Sequence, residues 1–162
     1  EDLTAISGIK EAKALNLLAV TELACRLLRE QVFSEKSLNH PQSILDWLNF
    51  EIGFSPQEEF LVIFLNHRLH PIYYKVLFKG TLNQSLVHPR DVFREASYHN
   101  AAALVLVHNH PGGSMEPSEA DLEMTDHFVK AAKLLGMQIV DHIIVSQGAY
   151  CSLREKFPEL FE

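Results

Sequence analysis

Two histidines, a serine and an aspartate stand at a spacing that suits metal chemistry. The segment runs Val107-His108-Asn109-His110-Pro111-Gly112-Gly113, and Ser118 and Asp121 follow. The apolar run Ala103 to Val107 reads as a buried strand that delivers His108 and His110 at its end. Residues two apart on a strand project to the same face, so the two imidazoles can grip one ion in cis. Gly112-Gly113 lets the chain reverse. Ser118 then opens a helix, and Asp121 falls in its first turn, where a carboxylate can point back toward the loop. Two His and one carboxylate leave a fourth position open, the hallmark of a catalytic rather than a structural zinc site. A competing account exists for part of this set. Ser-x-x-Asp ahead of an apolar helix is also a capping box, in which Ser118 and Asp121 satisfy free backbone N–H groups. Capping explains those two residues alone, whereas the metal site explains all four together.

A site of this kind needs elements to hold it. Residues 3–31 read as helical, with Leu15, Leu18, Leu23 and Leu27 at helical spacing and an interruption at Ser7-Gly8. Residues 34–43 are polar with one proline and read as a linker. A second helix is expected from Gln42 to about Glu51, closed by Gly53 and Pro56. Phe60 to Leu65 is a short β-branched and aromatic run expected to form a buried strand, with Ile72 to Phe78 as its antiparallel partner across a turn at Asn66-His67-Arg68. A helix is expected from Arg90 to His99 with Pro89 in its first turn, then the strand 103–107, an amphipathic helix from Ser118 to Leu135 stopped at Gly136, and a closing hairpin of 139–145 with 150–153. The chain thus reads as an α/β (α+β) protein. Residues 1–33 form a helical segment, 34–41 a linker, and 42–162 a metal-binding domain of order β-β-α-β-α-β-β around a mixed central sheet flanked by helices.

Composition narrows the partners. The 162 residues are 47% hydrophobic and 22% charged, which excludes a disordered chain. No apolar run reaches the ~18–20 residues of a membrane span, and no signal peptide opens the chain. Glu1-Asp2-Leu3 lacks an initiator Met, which reads as a fragment of a longer chain. The formal net charge of −7 weighs against a dedicated nucleic-acid binder. Cys25 and Cys151 lie far apart and outside any C-x-x-C pair, so a thiolate site is not expected, and two scattered cysteines without an export signal suggest a reducing cytoplasm. His67, His70, His88 and His99 show no ligand spacing and are expected at the surface, and His127 is expected to be solvated. Asp141-His142 interrupts the apolar strand Ile139 to Val145. A charged residue there needs a partner, so the two are expected either behind the metal ligands or, preferably, as a polar pair in the core.

The string H-N-H-P-G-G-x-x-x-P-S-x-x-D matches the JAMM signature, His-x-His, seven residues, Ser, two residues, Asp. In this form it resembles the bacterial RadC-like family. Gly80-Thr81, Val87-His-Pro-Arg90, Asn100-Ala-Ala-Ala103, Asp141-His142 and Ser152-Leu153 extend the resemblance over about residues 57–155. Gly112 departs from it, since the family usually has Ser there. The resemblance implies the MPN/JAMM (cytidine-deaminase-like) fold and one zinc ion held by His108, His110 and Asp121. It also implies a zinc-dependent hydrolase that cleaves a peptide or isopeptide-type amide with an upstream Glu as proton shuttle. Gln57-Glu58-Glu59-Phe60 offers two candidates, and the family pattern Glu-x-Phe selects Glu58, with Glu59 as the fallback because adjacent strand residues face opposite ways. Ser118 is implied as the oxyanion donor.

A protein or peptide substrate is therefore expected, with no membrane partner, and a homo-oligomer is compatible with the sequence. The alternative is a nucleic-acid role, since RadC-like proteins have traditionally been labelled DNA repair proteins. Ile6-Ser-Gly-Ile-Lys-Glu-Ala-Lys13 resembles half of a helix-hairpin-helix, whose turn presents backbone N–H groups to a phosphate. Here Lys10 replaces its second Gly, and five Lys/Arg face six Asp/Glu over residues 1–36. A helical appendage or oligomer contact is the preferred reading of that segment.

Overall fold

The computed structural model describes residues 2–34, 41–80 and 87–162; most of the expected linker, and Thr81 of the family resemblance, lie outside them. Five strands make one sheet: β1 (Glu58–Leu65), β2 (Pro71–Gly80), β3 (Ala103–Asn109), β4 (Gln138–Ser146) and β5 (Ala149–Ser152). Their order is β2-β1-β3-β4-β5. All neighbours are antiparallel except β3 and β4, which run parallel. The parallel pair needs a crossover. It is α4 (Glu119–Leu134), the helix that carries Asp121, so this crossover brings the carboxylate back over the strand that carries the histidines.

The remaining helices are α1 (Glu11–Phe33), α2 (Pro41–Leu48, continued as a π-turn over Asn49–Gly53), α3 (Pro89–Tyr98) and the short α5 (Leu153–Lys156). They cover both sheet faces, which is why β1 and β3 read as unbroken apolar runs rather than alternating ones. Phe60, Val62, Phe64, Leu104 and Leu106 pack with α3 and α4 residues Phe93, Met124 and Phe128. Leu61, Ile63, Leu65 and Val107, on the opposite face, pack with Trp47, Leu48 and Ile52. The expected element order is thus observed, with boundaries moved by a few residues.

The N-terminal segment behaves differently from its pattern. Only Ala14 and Val32 of α1 are buried, and Leu15, Leu18, Leu23 and Leu27 are exposed. The C-terminal end of the helix is the anchored part. Arg29 reaches Glu51 at 3.2 Å, and Glu51 also accepts from Trp47 Nε1 and Tyr74 Oη.

Candidate metal centre

The pairing of β1 with β3 sets which side chains face the cavity. Phe60 lies opposite His108 and Leu61 opposite Val107. With a period of two, Glu58, Phe60, His108 and His110 share one face, while Glu59, Leu61 and Asn109 share the other. Glu58, His108, His110, Ser118 and Asp121 accordingly line one cavity of about 390 Å³. Glu59 turns away and accepts from Ser55 Oγ at 2.6 Å and Lys79 Nζ at 2.7 Å. Of the two glutamates the sequence offers, the structure brings Glu58 to the histidines and not Glu59.

The three expected ligands converge. His108, His110 and Asp121 each present a donor atom, all within 4.8 Å of one another. His108 Nε2 is 3.0 Å from His110 Nε2 and 3.2 Å from Asp121 Oδ1, and His110 Nε2 is 3.6 Å from Asp121 Oδ2. His110 Nδ1 lies 2.8 Å from the Ser114 carbonyl, which can only accept, so Nδ1 carries a hydrogen and the ring, when neutral, turns its lone pair inward. Ser146 Oγ donates to the His110 carbonyl, and the His110 N–H donates to Val145 O, which ties the ligand's backbone to the end of β4. An imidazole lone pair and a carboxylate facing one point call for a cation between them, so the donor set fits a divalent metal.

The electrostatics agree. Burial alone would push the Asp121 carboxyl up, but the adjoining His108 ring and a hydrogen bond from His110 in its protonated form outweigh it and hold the group far below the usual carboxylate range. The same hydrogen bond with Asp121 raises His110, against its partial burial, with the Ser114 carbonyl adding to the rise.

Ser118 and Asp121 do form the capping box. The Ser118 N–H donates to Asp121 Oδ2 at 2.7 Å, and the Asp121 N–H donates to Ser118 Oγ at 3.2 Å. Capping and the metal site are therefore one arrangement rather than rivals. The cap occupies Oδ2 and aims Oδ1 at His108. The Ser118 hydroxyl also donates to Oδ2 at 2.7 Å, so it must turn to donate to any other oxygen.

Asp141 and His142 do not form a side-chain pair. Strand alternation sends them to opposite faces. Asp141 accepts from Ser152 Oγ, Arg154 N–H and the His142 backbone N–H, and burial raises its carboxyl despite these bonds. His142, fully buried, lies with Nε2 2.9 Å from His108 Nδ1, directly behind the ligand. His67, His88 and His127 are exposed as expected, whereas His70 is half-buried and so is His99, whose ring stacks 3.7 Å from Tyr73.

Two residues the sequence reading passed over shape the site. Asn109, between the two histidines, is fully buried on the far face. Its Oδ1 accepts from Glu59 N–H at 2.7 Å, and its Nδ2 donates to the Ser55 and Gln57 carbonyls. It thereby clamps the start of β1, and with it Glu58, to the ligand strand. A buried amide in an apolar strand must find several partners, and that was the available signal. Thr125, one helical turn after Asp121 and fully buried, donates to the Asp121 carbonyl at 2.6 Å and meets His142 Nδ1 at 2.7 Å. Its i+4 spacing from a ligand was the only hint.

Comparison with known proteins agrees with this architecture. Residues 38–158 match the RadC-like JAB domain family. A UPF0758 protein of Ralstonia nicotianae is 41% identical over 154 residues, covering 95% of this chain and 69% of that protein. A UPF0758 protein of Bacillus cereus is 37% identical over 156 residues, covering 96% and 69%. The chain belongs to the RadC-like JAB domain family, and it carries a His-His-Asp set able to hold a metal ion. The departure at Gly112 is sterically silent: a Cβ there would meet nothing within 4 Å, so a Ser would fit. Gly113, at φ +83°, is the position where the turn requires glycine.

Proposed function

We propose that this domain is a zinc-dependent hydrolase of peptide or isopeptide-type amides. The observation that carries the reading is the convergence of His108, His110 and Asp121 in the same cavity as Glu58, a carboxylate outside the ligand set. When bound, zinc polarises a carbonyl and lowers the pKa of a water toward ~7. Glu58, which lines that cavity, serves as the general base: it accepts a proton from the attacking water and later delivers it to the departing amine. The Ser118 hydroxyl, turned away from Asp121 Oδ2, donates to the developing oxyanion.

The lining of the cavity favours an amide over a nucleic-acid substrate. Glu58, Glu116 and Asp121 contribute to it, and among the described residues no Lys or Arg does. A bound zinc would offset two of these charges and Lys156 pairs with Glu116 at 2.9 Å, so what disfavours a phosphodiester is the lack of a Lys or Arg clamp for its phosphate. The N-terminal segment adds little to a nucleic-acid role, since Arg26 is paired with Glu22 and Arg29 with Glu51. Its exposed leucines fit an oligomer or domain contact better than a phosphate site.

The test is the bound-metal content of the purified chain, followed by a screen of peptide, isopeptide and oligonucleotide substrates. One zinc per chain and amide cleavage that His110→Ala abolishes is the expected result. Cleavage of oligonucleotides alone, or amide cleavage indifferent to His110→Ala, overturns the reading.

A further inference from the structure

We infer that Thr125 and His142 are positioning residues that hold His108 in the one tautomer able to offer Nε2 to a metal ion. The inference rests on the metal-centre reading above and deepens it. Four groups form a buried chain behind the site. The Asp121 carbonyl meets Thr125 Oγ1 at 2.6 Å, Oγ1 meets His142 Nδ1 at 2.7 Å, and His142 Nε2 meets His108 Nδ1 at 2.9 Å. Thr125, His142 and His108 are buried to within 1% of full burial, so water is not a competing partner for these atoms.

The direction of the chain follows from counting hydrogens. Two oxygens 2.6 Å apart need a proton between them, and the Asp121 carbonyl has none to give, so the single Thr125 hydroxyl hydrogen points at that carbonyl. Oγ1 then has only a lone pair for His142, whose Nδ1 must carry the hydrogen. A neutral His142 is left with an acceptor at Nε2, and His108 must donate to it from Nδ1. With its hydrogen on Nδ1, a neutral His108 keeps its Nε2 lone pair free, aimed at His110 Nε2 and Asp121 Oδ1.

The reversed chain would place a hydrogen on His108 Nε2, against the metal position, and would leave Thr125 Oγ1 and the Asp121 carbonyl in contact with no hydrogen between them. The arrangement has a second consequence. The anchor carbonyl belongs to Asp121, itself a candidate ligand, so two buried side chains link the main chain of one ligand to the ring of another. A metal-binding histidine commonly donates its other N–H to a carboxylate or a backbone carbonyl. Here a second histidine takes that role and passes the constraint on to a threonine.

Nitrogen-15 spectra of the imidazole rings in the zinc-stripped protein read the tautomers directly. His108 and His142 should both be neutral with hydrogen on Nδ1. Thr125→Val, close in shape but without the hydroxyl, should turn both rings into tautomer mixtures. It should also weaken zinc binding, measured by competition with a chromophoric chelator, by about 10–100-fold. Thr125→Ser, which keeps the hydroxyl, should restore both, and it separates loss of the hydrogen bond from loss of packing. An unchanged His108 tautomer and unchanged zinc affinity in folded Thr125→Val overturns the inference. If the wild-type tautomers are as assigned but zinc does not bind, the relay stands and the metal-centre reading fails.

Discussion

Glu58 and Glu59 are adjacent in sequence and should answer the same substitution in opposite ways. Glu58→Gln keeps the shape and removes the basic oxygen. Glu58 is half-buried at the cavity wall and is not among the converging ligands, so zinc should stay bound. Hydrolysis of whichever amide the screen identifies should fall by about 10²–10⁴-fold. That corresponds to about 3–5 kcal/mol of transition-state stabilisation. Glu59→Gln removes a charge that accepts from Ser55 and Lys79 on the far side of the sheet. A hydrogen bond to a charged group is worth about 1.5–3 kcal/mol. Gln retains an acceptor for Ser55, and Lys79 is 59% exposed, which reduces the ion pair to about 0–1 kcal/mol. The expected loss is about 1–2 kcal/mol of stability. In a domain of this size that is a fall in Tm of about 2–8 °C, with zinc content and activity per folded molecule unchanged. Thermal unfolding, metal analysis and steady-state rates on both variants make the comparison. If Glu59→Gln abolishes turnover while Glu58→Gln is silent, the face assignment taken from the Phe60–His108 pairing is wrong. If both are silent in an active enzyme, the proton shuttle is a different group.

Other outcomes follow from the same geometry. His110→Ala should lose the metal and the activity together, whereas Glu58→Gln loses only activity; metal analysis after gel filtration decides. In the zinc-free protein the raised pKa of His110 means that its protonated form stabilises the fold fully below about pH 6.5. That contribution is lost as pH rises through the folded-state value, so Tm in EDTA should decline on the alkaline side. Zinc should remove the decline by taking the proton's place, and a flat EDTA profile would contradict the His110–Asp121 pairing. Gly113→Ala forces an alanine to φ +83° and should cost about 1 kcal/mol, whereas Gly112→Ser should be neutral by thermal unfolding.

The strands of the core, the helix that starts at Ser118 and the His-x-His…Asp set were legible in the chain itself, because each is a local pattern. Buried strands need apolar runs, a helix start needs a cap, and ligands on one strand face must be two apart. The choice of Glu58 over Glu59 was half legible: alternation says that only one can face the metal, but which one depends on the register of β1 against β3, a long-range pairing. The two readings of Ser118 and Asp121 also stayed open in sequence. They merge only in three dimensions, where the cap holds Oδ2 and leaves Oδ1 for His108. Leu15, Leu18, Leu23 and Leu27 mark the opposite limit. Their spacing gives a helix, but nothing in the spacing says what that helix packs against, and in the structure these four side chains are exposed. The relay through Thr125 and His142 was legible only in that His142 was one candidate for a place behind the ligands. It joins residues 108, 121, 125 and 142 by hydrogen bonds whose directions depend on distances of a few tenths of an ångström, and only the packing of α4 across β3 and β4 sets those distances.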